Sequence, residues 1–475
     1  MCPGALPERE RDQHREEVLM SARNYTHRAD SRVLSREQAQ ALVDRVLKMS
    51  KADAVQVNVG GGYTANIRFA DNRISTAGGV STANVAIQSS FGPKHAVTQT
   101  NDLSDEGLTR AVQQSEALAR LAPDDPEAMP PLGPQQYDAV NSYFDATAKL
   151  GPEGRAEAAQ MAIVPCKTAG DLKAAGFLQT GIGAGAVGNN KGLFAYQAST
   201  SANYTVTVRT TDGTGSGWAG ADHPDWSQLD VRDVAQRAIQ KARLSRNPVA
   251  IEPGRYTVIL EPQAVGDLVQ LLAFSLDARS ADEGRSAFSK QGGGTKIGEK
   301  VVDERVTLFS DPTDPQLLSN AFDGQGMAAH RQVWIDKGVL KKLTYSRFWA
   351  QKQNKEPDAG TNAVKFQGAT TTTEDLIRST PRGVLVTRLW YLRQVDPRTV
   401  LYTGLTRDGT FLIEDGKITK AVKNMRFNES PLFMLNNLEG IGRALRVAGT
   451  EAGGDVVMPA IKVRDFNFTS LSDAV

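Results

Sequence analysis

Five histidines, two cysteines and a scatter of carboxylates are what this 475-residue chain offers to a metal ion or a covalent substrate, and their spacing restricts the chemistry. A zinc peptidase needs two or three His, Cys or carboxylate ligands converging on the ion, with a carboxylate to activate its bound water. No two of His14, His27, His95, His223 and His330 share a helical turn, so no single helix supplies a pair of imidazoles. Ligands brought together from distant segments stay open on spacing alone. His330, in the segment Asn320 to His330, is the histidine expected to be ordered near the middle of the C-terminal half, where it reads as a structural hydrogen-bonding residue. Cys2 and Cys166 are too few for a disulfide framework or a Cys-based zinc ribbon. Cys166 follows Ile163, Val164 and Pro165 without an obvious partner base nearby, and reads as a small packed hydrophobe. There is no GxSxG elbow. The neighbouring carboxylates Asp282-Glu283 and Asp303-Glu304 point different ways in any regular backbone and read as solvated surface.

Two glycine-rich runs invite a phosphate reading. Residues 183–188 match GxGxxG, which cradles a pyrophosphate when it joins a strand to a helix. The next residues, Asn189 to Tyr196, read as a turn and another strand, so dinucleotide binding is rejected. Residues 292–300 lack the Gly-Lys-Ser/Thr ending of an ATP loop and are rejected too.

The elements that must position these residues emerge from periodicity. Ser35 and Gln38 have capping-box spacing, and Leu42, Val43, Val46 and Leu47 recur at helical intervals, predicting a helix over 36–49. Alternation at Val55, Val57 and Val59, at Ile67 and Phe69, and at Val85 and Ile87 predicts antiparallel strands. A second helix is expected over 104–121. Five prolines between residues 122 and 134 then make a connector. Residues 176–220 read as a β-meander, and Asp230 caps a helix that ends near Asn247-Pro248, where a domain boundary is placed. Beyond residue 250 strands dominate. Residues 334–342 and 412–420 echo one another as hairpins turning on Gly338 and Gly416. The expectation is an α+β protein of two domains: a disordered start over 1–32, an α+β domain with antiparallel strands over 33–248, and a mainly antiparallel β domain over 249–475.

Charge narrows the partners. Fifty-five Lys plus Arg against 54 Asp plus Glu give a net charge of +1, too little to hold nucleic acid or an anionic membrane. The charged N-terminus has no apolar signal core, and no apolar run approaches the ~20 residues that span a bilayer. A cytoplasmic location is expected.

Several segments, each weak alone, fall in the order of one family. They are residues 67–74 and 100–104 in the first domain, then 254–268, 286–289, 297–301, 322–326, 403–409 and 412–418 in the second. Over about residues 35–470 the chain resembles the TldD/PmbA family of peptidase subunits, also called modulators of DNA gyrase, and the metal-free PmbA or TldE type in particular. In TldD-type subunits the metal segment reads HExxxH, with a further Cys ligand near the C-terminus. The ungapped match here is Pro-Gln-Ala-Val-Gly-Asp at 262–267. Pro262 stands at the first His, Gln263 at the catalytic Glu and Asp267 at the second His; residues 451–462 hold no Cys. Pro has no ligand atom, and Gln cannot take a proton from a zinc-bound water.

The resemblance implies a chain without catalytic residues, cofactor or metal of its own, paired as a heterodimer with a TldD-type subunit that carries zinc, or else as a homodimer. It would enclose an extended, unfolded peptide, with no direct nucleic-acid or membrane contact. Two other readings are carried forward: a self-associating peptide-binding or chaperone-like protein without peptidase activity, and a divergent peptidase built on Asp267 and His330.

Overall fold

The computed structural model describes residues 33–360, 363–449 and 454–472. The start expected to be disordered, with His14 and His27, lies outside these residues, as do Glu451 to Gly453 of the Cys-less segment.

Helix α1 (Arg36–Met49) begins at the expected box: the Gln38 N–H donates to the Ser35 hydroxyl while the Ser35 N–H donates to the Gln38 side chain. Strands β1 (Ala54–Ala70), β2 (Arg73–Phe91) and β3 (Lys94–Thr100) come next, then α2 (Asp105–Leu121), capped by Ser104. After the proline-rich connector come α3 (Asp145–Ala148), α4 (Pro152–Ala169), β4 (Leu172–Asn189), β5 (Phe194–Thr210), β6 (Ser216–His223) and α5 (Val231–Leu244), capped by Asp230. The six strands form one antiparallel sheet in the order β3-β2-β1-β4-β5-β6.

The two-residue period of β1 puts Val55, Val57, Val59, Ala65, Ile67 and Phe69 on one face. Helices α1 and α2 cover one end of that face and α4 and α5 the other, giving two apolar clusters along a single sheet. Sequence periodicity did not announce α4, because Pro165 lies inside it and its buried side, from Ala158 to Cys166, is mostly alanine.

The second half contains β7 (Gly254–Leu260), α6 (Pro262–Phe274), α7 (Ala278–Asp282), β8 (Leu308–Ser310), β9 (Gln332–Asp336), β10 (Val339–Leu340), α8 (Arg347–Gln353) and β11 (Val364–Phe366). It continues with α9 (Thr373–Arg378), β12 (Arg382–Asp396), β13 (Leu401–Glu414), β14 (Lys417–Ala421), β15 (Met425–Glu429), α10 (Pro431–Asn436), β16 (Leu438–Arg446) and β17 (Val456–Leu471). The eleven strands join in one mainly antiparallel sheet, as expected, with parallel pairs at β7–β12 and β11–β17. Because β17 pairs with both β15 and β7, the run β17-β15-β13-β12-β7 closes on itself. Helix α6 packs into the largest apolar cluster through Val265, Leu268, Val269 and Leu272.

Both anticipated hairpins are present. Lys337-Gly338 and Asp415-Gly416 have φ of 46° and 78°, and 49° and 72°, the left-handed pair of a type I′ turn. One lies at a sheet margin between β9 and β10, the other between β13 and β14. The architecture is therefore α+β in two regions.

Candidate functional site

Strand β7 leads directly into α6, so the segment 262–267 is the first turn and a half of a helix. Pro262 is its first residue, where a missing N–H costs nothing. The preceding Glu261 makes no side-chain cap; its carboxylate instead accepts from the Lys241 ammonium of α5 at 2.6 Å. Burial pushes the Lys241 ammonium down, against the pull of Glu261. Gln263 and Asp267 are one turn apart on one face, 3.5 Å between the Gln263 amide nitrogen and an Asp267 oxygen. The Gln263 amide donates to the carbonyl of Gly449, and Asp267, only 2% exposed, accepts from the Leu389 N–H of β12 at 3.3 Å.

Pro262 and Gln263 line a cleft of about 680 Å³ where the two sheets meet. Strand β6 contributes Trp218, Asp222 and His223 to it, α5 contributes Arg237, and β16 contributes Arg443 and Arg446. The cleft is fixed by polar bonds across the joint. Arg446 donates to Asp222 at 3.0 Å and to the Leu317 carbonyl at 2.6 Å. Buried Asp408 of β13 accepts from the Ser216 hydroxyl at 2.6 Å and pairs with Arg388 at 2.7 Å. The Arg388 guanidinium lies 5.1 Å from the centre of the Trp218 ring. His223 accepts the Asp225 N–H on Nδ1, and burial together with nearby Arg446 lowers its pKa. That keeps it neutral near pH 7, with Nε2–H as its donor. No motif marked His223 or Arg446; they reach the cleft through sheet topology.

The other candidates are dispersed. His330 sits before β9 with Nδ1 2.9 Å from the Asp138 carboxylate, a hydrogen-bonding role as expected. His95 lies 3.8 Å from Asp125. Among the described residues no three His, Cys, Asp or Glu side chains are grouped as a metal site; Asp267 accepts from the Leu389 N–H and His330 lies against Asp138. Asp267 alone, with Pro262 and Gln263 beside it, does not fit the zinc set of the HExxxH segment. Cys166 is buried in the cluster under α4, its thiol pushed up to about 11 by burial.

Residues 183–188 are the interior of β4, paired with β1 on one side and β5 on the other, so no backbone donors are left to cradle a phosphate. In residues 292–300, Lys296 donates to the Ala287 carbonyl and Lys290 pairs with Glu299. Glu283 and Asp303 bind surface arginines, but Asp282 departs from the surface reading: it accepts the indole N–H of Trp349 at 2.7 Å and so anchors α8. The connector also does more than span, since Glu127 holds Arg279 through two bonds of 2.9 Å.

Comparison with known proteins places this architecture in a class of metallopeptidase-like proteins. The PmbA/TldA metallopeptidase C-terminal domain matches residues 253–470, and the central domain of the same family matches 155–246. The chain belongs to the TldD/PmbA family. A metalloprotease of Methanothermobacter thermautotrophicus is 25% identical over 236 residues, 46% of this chain and 49% of that protein. A metalloprotease of Methanocaldococcus jannaschii is 24% identical over 221 residues, 42% of this chain and 46% of that protein. The chain thus spans about half the length of the curated relatives it matches. In fold it is similar to TldE from Thermococcus kodakarensis, with a TM-score of 0.80 and 19% identity over 91% of this chain and 99% of that one. It is also similar to a putative modulator of DNA gyrase from Thermotoga maritima, with a TM-score of 0.79 and 17% identity over 91% of this chain and 100% of that one. No helix among the described residues is long and apolar enough to cross a membrane.

Proposed function

We propose that this chain is a non-catalytic subunit of a cytoplasmic zinc metallopeptidase, which holds an extended peptide for a TldD-type partner that carries the zinc. The observation behind it is the state of α6. Where the resemblance calls for His, Glu and His, the chain has Pro262, Gln263 and Asp267. Gln263 is engaged by the Gly449 carbonyl and Asp267 by the Leu389 N–H, so both side chains act as braces for neighbouring backbone. A carboxamide bonded to a carbonyl offers no base to a water, and a single carboxylate is a weak zinc ligand.

The cleft supports the peptide part of this reading. It is bordered by β6, the last strand of its sheet, and a sheet edge recognises an extended chain through backbone hydrogen bonds with little dependence on side chains. Native mass spectrometry of the tagged chain, purified gently from its own host, tests the proposal in one spectrum. The expected result is a metal-free chain paired with a zinc-containing second polypeptide, with peptidase activity confined to the pair. A zinc-bound monomer or homodimer that cleaves peptides by itself would overturn it.

A further inference from the structure

Strands β12, β13 and β15 run side by side, and their register puts Trp390 opposite Leu405 and Leu405 opposite Arg426, with Arg393 opposite Thr403 and Thr403 opposite Asn428. Along β13 exposure alternates: Leu401, Thr403, Leu405 and Arg407 are half-buried, while Tyr402, Gly404 and Thr406 are buried. These residues therefore share one solvent-facing side of the sheet. Its free charges are cationic. Arg393 donates to the Leu392 carbonyl at 2.7 Å and Arg426 to the Thr403 hydroxyl at 3.4 Å, and among the described residues neither guanidinium lies against a carboxylate. Exposed arginines elsewhere are neutralised, as Arg45 is by Asp105, Arg237 by Asp233 and Arg305 by Asp303. Buried Asp408, at the inner end of this face, is already shared by Arg388 and Arg407.

Two aromatic side chains complete the surface. The Arg407 guanidinium lies 4.0 Å from the centre of the Trp390 ring, and that of Arg393 lies 4.2 Å from the centre of the Tyr391 ring. Tyr391 is 53% exposed at a φ of 57°, where the register shifts between Trp390 and Arg393. A bulky residue rarely adopts that backbone, and a bulge of this kind re-aims a side chain. Here it holds the phenol outward against the Arg393 guanidinium. A guanidinium seated on a ring keeps its in-plane N–H groups free, and their fork matches a carboxylate.

We propose that this face binds an acidic stretch of another polypeptide in extended form. Phosphates match the same fork, but the ring faces on which the bases of a single strand would stack already carry guanidinium groups. A net charge of +1 makes the attraction local, which fits a few carboxylates better than a long polyanion. Strands β12 and β15 are two strand spacings apart, about 10 Å, and about three residues of extended chain cover that distance. None of Trp390, Tyr391, Arg393 and Arg426 lines the cleft at α6, so the proposal is independent of the peptidase reading.

Fluorescence anisotropy of short labelled peptides with the full chain tests this, using Glu at every third position of a Gly-Ser background, beside Gln and Lys versions of the same peptide. The Glu peptide is expected to bind at least about tenfold more tightly than the Gln peptide, and the Lys peptide not at all. An Arg393→Gln, Arg426→Gln variant should lose at least about tenfold in affinity for the Glu peptide and nothing for the Gln peptide. Both side chains are exposed, so circular dichroism and Tm should be unchanged. A wild type that ignores the Glu peptide, or binds the Gln peptide equally well, would overturn the proposal. So would Glu-peptide binding that survives both substitutions, because its site would lie elsewhere. An oligothymidine that binds more tightly than the Glu peptide, and is lost in the same variant, would assign the face to nucleic acid instead. Hydrogen exchange of the wild type provides a reading that needs no variant. Amides of 390–394 should become protected on saturation with the Glu peptide, and protection confined to other segments would equally overturn the proposal.

Discussion

The two sheets solve the same problem in opposite ways. The first is an open antiparallel ladder of long strands, rich in Gly, Ser and Thr, whose helices cover one face and which ends, among the described residues, in the outer strands β3 and β6. The second closes five of its strands into a ring and surrounds α6 with Leu, Val, Phe and Trp side chains. A closed ring has no edge to offer within it, and apolar burial of that kind supplies most of a domain's cohesion. The contrast assigns most of the stability to the second sheet. The cleft lies where an edge of the first meets the helix that stabilises the second.

The strongest way to break that contrast is at the centre of α6. Leu268 is completely buried, and Leu268→Ala should cost about 2–5 kcal/mol, read as a lower urea midpoint. A loss below about 1 kcal/mol would mean that the ring is not the main source of stability.

A titration sharpens it next. Glu429, at the end of β15, accepts the N–H groups of Ser430 and Asn467, and burial pushes its carboxyl up to about 7 from 4.5. Between those values the folded chain keeps a proton that the unfolded chain has released. Its stabilising contribution is therefore present below pH 4.5 and is lost as the pH rises through 7. The fall should be on the order of 3 kcal/mol in urea unfolding monitored across that range, and Glu429→Gln should flatten it. An unchanged slope in the variant would remove Glu429 as the cause.

The joint between the sheets comes third. Asp408→Ala strands Arg388 and the Ser216 hydroxyl, and should cost about 2 kcal/mol while letting the two sheets unfold at different urea concentrations. A single unshifted transition would show that the joint contributes nothing to their coupling.

Legibility in the sequence divides along the same line. The first sheet is local apart from its central β1–β4 pairing: the other neighbours pair as hairpins, valines alternate, and Ser35, Ser104 and Asp230 cap helices where polar residues precede apolar periodicity. The Gly338 and Gly416 turns were readable because left-handed φ demands particular residues. The ring was not, since β7 pairs with β12 and β17 across more than a hundred residues and carries no local sign of either. Nor was α6 as a helix: Gln263, Asp267 and Gln270 share one face at helical spacing, but Asp267 and Gln270 are buried with the apolar residues, so no solvent-facing side marks the period. At the site, the replacements at 262, 263 and 267 were visible. Their partners, the Gly449 carbonyl and the Leu389 N–H, were not, because every residue but proline carries both groups.

The smallest expected effect tests the most suggestive motif in the chain. A glycine that wraps a phosphate is needed for its φ or for the room that a Cβ would take. Gly185, in the middle of the GxGxxG run, is not among the positive-φ residues, and a Cβ built on it meets nothing within 4 Å. Gly185→Ala should therefore leave stability unchanged or raise it by about 0.4–1 kcal/mol, through the entropy the unfolded chain gives up. Denaturation with and without added nucleotide checks it. Loss of a nucleotide-dependent rise in Tm on substitution would restore the phosphate reading and overturn the assignment of 183–188 to the interior of a strand; a small gain without nucleotide dependence would mark the run as plain sheet.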